Sequence, residues 1–362
     1  MAPSHPLRGA GGLTPLRQTE LVRSAEVDAI AGALGRTVTG TRTLAGGFSH
    51  ETSLLELGPD RLELGPDRLG LGPDRLERRP DRVVARVGGA HPDIEAAVMN
   101  VARRHVPVPE VLLMLDLETG TGTGTRSRRA MILEWVAGTP LSQVLAASEA
   151  GGEADMAALG AEVGRVFAGI GSVSFERPGF FGGPDLTVGD MPPWSEQLPA
   201  MAVNCMAKVP ETRLDPGTRR MWIELCAAHA SSLVQIDDQA RLVHADANPK
   251  NVLVTRVAGG WRVDAVLDWE FSFSGCPYAD YANMTRFGGD YPAGFVAGFR
   301  VGFGEDRVAG VGGSPAPADW AYLGRVMDMF ALSDLVTRPA GHPVADQAAA
   351  EIRRWTEEGI PT

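Results

Sequence analysis

Val243-His244-Ala245-Asp246-Ala247-Asn248-Pro249-Lys250-Asn251 is the densest polar run in the chain, and it leads straight into the apolar stretch Val252-Leu253-Val254. Asp, Asn and Pro build turns on their own, so the run gains meaning only from the residues downstream of it. Residues 252–257 and 261–267 read as two strands joined by Gly259-Gly260, a dipeptide suited to the positive φ angles of a tight hairpin. With those two glycines as the loop, Ala258 opposes Trp261 and, further out, Asn251 opposes Asp268. Opposed residues share a face with Cβ atoms about 5 Å apart, so one carboxylate and one amide oxygen are placed to hold magnesium together. Asp246 then stands just outside the pair. A carboxylate there, beside a metal-bound triphosphate, orients an incoming hydroxyl and accepts its proton.

Upstream of this hairpin the chain reads as a mostly β segment followed by a mostly α segment. Residues 1–40 form an arm rich in Gly and Pro and an amphipathic helix over 20–34. Residues 41–136 form an N-terminal β lobe with strands over 41–57, 82–87, 111–117 and 130–136 and one main helix over 93–105, closed by Pro107 and Pro109. Within that lobe, residues 57–82 hold an insertion in which Gly-Pro-Asp-Arg-Leu recurs at Gly58, Gly65 and Gly72 with a period of seven. Each copy carries Gly-Pro, which breaks helices, so the heptads read as an expanded hairpin loop and not as a coiled coil. Residues 137–362 form a C-terminal helical lobe that contains the catalytic hairpin. The expected class is therefore α+β, with an antiparallel sheet lobe before a helical one.

Composition narrows the function. The formal net charge of -11 repels phosphate backbones and anionic lipid, which argues against nucleic-acid and membrane-surface partners. No stretch is long and apolar enough to span a bilayer. The three cysteines, Cys205, Cys226 and Cys276, are odd in number and widely spaced, which fits a reducing cytoplasm. Lysine is confined to Lys208 and Lys250. No Gly-Lys dipeptide occurs, which removes a P-loop of the Gly-x-x-x-x-Gly-Lys type.

The segment His244-Ala245-Asp246 with Asn251, followed by Leu267-Asp268-Trp269-Glu270 and Pro277-Tyr278-Ala279-Asp280, resembles the aminoglycoside phosphotransferase and choline kinase superfamily. That resemblance implies a protein-kinase-like two-lobed fold and transfer of the γ-phosphoryl group of ATP or GTP, with Mg2+, to the hydroxyl of a small molecule. It implies Asp246 as catalytic base, His244 as a brace for the loop, and Asn251 and Asp268 as metal ligands. Ala245 stands where glycine is usual, and the exchange is expected to be tolerated with its backbone at negative φ.

In the N-terminal lobe, Gly46, Gly47, Phe48 and Ser49 resemble the loop that covers the phosphates, where glycine lets backbone N–H groups come close. A lysine normally stands on a following strand, but none precedes Lys208. Arg86 is the natural substitute, because its planar fork contacts phosphate oxygens in pairs, and Glu95 is its candidate partner. Glu134-Trp135-Val136 resembles the hinge, with the backbone of Glu134 and Val136 meeting the base. The acceptor is read as an antibiotic of aminoglycoside type or as an amino alcohol or sugar, and a nucleotide-binding pseudokinase is the rival class. Between residues 172 and 222 acidic and basic side chains nearly balance, so charge does not choose among acceptors. Phe180, Phe181 and Trp194 are candidates for an apolar wall facing the acceptor.

Overall fold

The computed structural model describes residues 15–44, 50–60, 80–119, 126–147, 152–308, 317–339 and 341–361. In chain order its elements are α1 (Pro15–Leu34), β1 (Arg36–Thr43), β2 (His50–Asp60), β3 (Arg82–Gly88), α2 (Pro92–Ala102), β4 (Val111–Thr119), β5 (Arg126–Glu134) and β6 (Thr139–Pro140). There follow α3 (Leu141–Ala146), α4 (Glu153–Ile170), α5 (Trp194–Met206), α6 (Pro216–His229), β7 (Arg241–Val243), β8 (Val252–Val257), β9 (Gly260–Val266) and β10 (Phe273–Gly275). The chain ends with α7 (Tyr278–Thr285), α8 (Ala293–Val308), α9 (Trp320–Leu335) and α10 (Pro343–Glu358). Two compact units emerge, one of residues 1–90 and 111–135, the other of residues 91–110 and 136–362.

The first unit is built on an antiparallel sheet in the order β1-β2-β3-β5-β4. Alternation explains its core. Val83, Ala85 and Val87 point to one face of β3 and join Leu55, Leu57, Leu117, Ala130, Ile132 and Ile30 of α1 in one buried cluster. Each large side chain among them contributes about 1.5–3 kcal/mol by leaving water. Arg86 belongs to the opposite face. At the edge of that core, Arg128 donates from Nη1 to Glu26 Oε1 at 2.9 Å. The amide of Leu57 donates to Asp81 O at 2.8 Å, so the β2–β3 hairpin is already closed where the heptapeptide insertion departs. Residues 61–79 of that insertion, and Gly46, Gly47, Phe48 and Ser49, lie outside the described residues.

The second unit takes in α2, the helix that its place in the sequence grouped with the sheet. Contacts distant in sequence hold it there: the exit of α2 is tied down where Val266 N donates to Pro107 O at 2.9 Å, and Glu95 Oε1 accepts from Trp269 N at 3.3 Å. The helical body is centred on α4 and α8, which approach closely enough to exclude side chains at their crossing. A Cβ on Gly298 would lie 2.0 Å from Ala157 O, and one on Gly160 would lie 2.2 Å from Phe295 O. Phe167, Phe295, Phe299 and Phe303, all fully buried, fill the space on either side. Two small sheets, β10-β7 and β6-β8-β9, carry the polar segments on this body.

Candidate active site

The hairpin forms with a register different from the expected one. Val257 pairs with Gly260, so the loop is Ala258-Gly259 with Gly259 at φ +89°, and not Gly259-Gly260. A bulge then inserts Asp264: Val254 faces Val263, whereas Leu253 faces Ala265 and Val252 faces Val266. The turn moves the pairing by two residues and the bulge restores one. Asn251 is therefore aligned with Leu267, whose amide donates to Asn251 O at 2.8 Å, and Asp268 is one position further on. The two candidate metal ligands remain neighbours across the hairpin mouth, but they are not directly opposed.

The loop between β7 and β8 holds Asp246 in a cradle of amides. Asn251 Nδ2 donates to Asp246 Oδ2 at 2.8 Å, and Asn248 Nδ2 donates to Asp246 Oδ1 at 3.0 Å. Both amides also reach Asp246 O, at 3.0 and 3.1 Å. Because Asn251 spends its nitrogen on Asp246, its Oδ1 is left for another partner.

His244 is fully buried and fixes the start of the loop. Its Nδ1 accepts from Asp246 N at 3.2 Å, which puts the proton on Nε2, and Nε2 donates to Leu267 O at 2.9 Å. The ring packs against Trp269, with centroids 4.6 Å apart, and edge-on to Phe167. One imidazole thus ties the Asp246 loop to the Asp268 loop.

Asp280, three residues into α7 and fully buried, is a participant whose role the sequence did not reveal. Its Oδ2 accepts from His244 N and its Oδ1 from Ala245 N, each at 2.9 Å. This clamp explains a correction to the reading of Ala245, which has φ +66° and not a negative φ. A left-handed alanine costs roughly 1–2 kcal/mol, and the charged acceptor holds it there. Asp268 is also left-handed, at φ +67°, so strained backbone flanks the site on both loops. Ala245→Gly should therefore raise stability by about 1 kcal/mol, a gain of a few degrees in a melting curve, with the fold unchanged.

Behind α7 lies a second buried pair. Arg286 donates from Nε to Asp328 Oδ2 at 2.9 Å, and Asn283 Nδ2 donates to Asp328 Oδ1 at 2.7 Å. Burial works against the Arg286 charge, but the Asp328 carboxylate, and beyond it Asp246, keep the guanidinium pKa above its ordinary value. The partners are 42 residues apart, beyond the reach of any local pattern.

In the first unit, Arg86 is 8% exposed and its Nη2 lies 2.9 Å from His50 Nδ1. The same Nη2 lies 3.1 Å from His50 Nε2, so the guanidinium faces the edge of the imidazole. Glu134 ends β5 opposite Val83. Val136 and Glu95 belong to the second unit, where Glu95 is 2% exposed.

Residues 78–312 match the sequence profile of the phosphotransferase enzyme family. The chain belongs to that family. As a member of the phosphotransferase enzyme family it transfers phosphoryl groups to hydroxyl acceptors, on an α+β, kinase-like two-lobed fold. No curated protein matches the chain. Among solved structures it is similar to a thermostable mutant of aminoglycoside phosphotransferase APH(4)-Ia in a ternary complex with ADP and hygromycin B. The identity is 19%, 93% of this chain and 99% of that one are covered, and the TM-score is 0.60. It is also similar to wild-type aminoglycoside 2'-phosphotransferase-IIIa in its GDP complex, at 11% identity, 96% and 100% coverage and a TM-score of 0.58. At these identities the likeness shows the fold alone and does not name an acceptor.

Proposed function

We propose that the protein transfers the γ-phosphoryl group of ATP or GTP to a hydroxyl of a small molecule, with Asp246 as the base. The observation that carries this reading is the cradle around Asp246. A carboxylate given two amide donors and a fixed backbone is held in one orientation, as a proton acceptor for an incoming hydroxyl must be. His244 and Asp280 act through position: they fix the loop and touch no substrate in this scheme. Arg86 contacts phosphate oxygens. Gly46, Gly47, Phe48 and Ser49 cover the phosphates, and the backbone of Glu134 and Val136 meets the base.

Asn251 Oδ1 and the Asp268 carboxylate are hard oxygen donors on adjoining backbone, a set that fits Mg2+. When bound, that ion neutralises charge on the phosphates. Asp246 takes the hydroxyl proton as the acceptor oxygen bonds to the γ-phosphorus, and the bond from that phosphorus to the β,γ-bridging oxygen breaks, releasing the nucleoside diphosphate. The acceptor's class is an antibiotic hydroxyl or that of an amino alcohol or sugar. The three cysteines are buried free thiols, which suits a reducing cytoplasm. Among the described residues no helix is long and apolar enough to cross a membrane.

The test is to incubate the purified protein with ATP or GTP, magnesium and a panel of aminoglycosides, peptide antibiotics, sugars and amino alcohols, and to read products by mass. Nucleotide binding without a phosphorylated product from any acceptor would favour a binding module. Magnesium titrations give a second check. Asn251→Ala and Asp268→Ala should each raise the magnesium concentration needed for turnover, Asp268→Ala the more because it removes charge. The double variant should lose less than the sum of the two, as residues of one shared site do.

A further inference from the structure

A short loop reaches the catalytic segment from the side of α5. Gly179 N donates to Ser274 O at 2.8 Å and Ser274 N to Gly179 O at 3.0 Å, while Ser274 pairs with Leu242 on β7. Gly179 is thus two strand spacings, about 10 Å, from the strand that leads into His244 and Asp246. Ser272 Oγ, just before β10, lies 3.4 Å from His244 O.

The residue after Gly179 is Phe180, and it is 59% exposed. Its ring meets Trp194 edge-on at 5.9 Å and Phe273 at 5.8 Å, and Trp194 in turn contacts Phe273 at 5.2 Å and Phe330 at 5.6 Å. An exposed ring over a buried aromatic cluster is an open apolar face. Trp194 is 5% exposed and its Nε1 is buried without an acceptor, a costly state for an indole N–H. The four rings carry no charge, and acids of the same loop are already engaged. Asp185 accepts from Thr187 N and Oγ1, and Asp190 pairs with Arg177.

We infer that the phosphate acceptor carries an aromatic or flat apolar face, which stacks on Phe180, and presents an oxygen to Trp194 Nε1 as the Phe180 ring turns aside. This rests on the phosphotransfer reading above and narrows its substrate class.

The test uses matched probes in the presence of nucleotide and magnesium: 4-nitrophenyl β-D-glucoside, methyl β-D-glucoside and kanamycin, with binding followed by calorimetry. The aromatic glucoside should bind at least about tenfold tighter than the methyl glucoside and than kanamycin, a difference of about 1.4 kcal/mol. Phe180→Ala, at an exposed position and so without risk to folding, should abolish that preference and leave nucleotide affinity unchanged. Equal binding of the two glucosides, binding of neither, tighter binding of kanamycin, or a preference that survives Phe180→Ala would overturn the proposal. A change in oligomeric state in Phe180→Ala would also overturn it, by showing that the ring packs against a second copy. Loss of nucleotide binding in the unaltered protein would instead strike the phosphotransfer reading itself.

Discussion

Asp246→Asn should lower turnover by on the order of a thousandfold while nucleotide affinity stays within a few fold, because proton acceptance is the function removed. The cradle sharpens this expectation. Both oxygens of Asp246 accept from amide nitrogens, Oδ2 from Asn251 and Oδ1 from Asn248. An asparagine offers one oxygen and one NH2 group, so one of those two hydrogen bonds becomes a donor facing a donor. A modest loss of stability, about 1 kcal/mol, should accompany the kinetic effect. Turnover, nucleotide affinity and a melting curve on one preparation separate these consequences. Near-normal turnover would remove Asp246 from the mechanism.

The second large effect is expected at Asp280. Truncation to alanine leaves His244 N and Ala245 N without the acceptor they now share. Hydrogen bonds to a charged group contribute roughly 1.5–3 kcal/mol each, so Asp280→Ala should cost about 3–5 kcal/mol. It should also release the left-handed turn at Ala245 and lower turnover without touching a substrate. Asp280→Asn keeps one acceptor oxygen and should lie between the two in melting temperature. Pairing Asp280→Ala with Ala245→Gly distinguishes the clamp from general destabilisation. If the clamp works by holding a strained alanine, the glycine recovers part of the stability, and the effects fall short of additivity. Strict additivity would show that the two are unconnected.

Much of this site is legible in the sequence because its chemistry is concentrated in one run. Asp, Asn and His spaced over residues 244–251, followed by a strand, a glycine turn and a second strand, announce a carboxylate beside a hairpin. The register differs by one position at Asp268 for a physical reason. Gly259-Gly260 offers two adjacent residues that tolerate positive φ, and the chain uses only the first of them in the loop. Asp264 sits in a run that reads as uninterrupted strand, and a bulge leaves no mark of its own there. Asp280 and Arg286 are invisible in their roles because their partners lie 35 or more residues away, and periodicity reports faces, not long-range contacts. The sheet and its helices can be read to within a few residues, since alternation and the prolines after α2 are local signals. The assignment of α2 to one lobe or the other cannot, because that depends on contacts such as Glu95 with Trp269 N.

The closed base of the β2–β3 hairpin bears on how this gene can change. Pairing of β2 with β3 is complete at Glu56 and Arg82, with Leu57 N on Asp81 O, while Gly58, Pro59 and Asp60 of the first copy continue β2 and Asp60 pairs with Arg36 of β1, so the sheet uses the start of the first copy and the β2–β3 junction is closed before it. Loop closure grows only logarithmically, about 0.6 kcal/mol for each doubling of length, so the fold scarcely registers one copy more or fewer. Tandem copies in DNA invite slippage during replication, and a unit of seven whole codons keeps the reading frame whichever way it slips. Selection through stability is therefore nearly blind to the number of copies, and sister lineages should differ there by multiples of seven residues while β2 and β3 stay fixed in length.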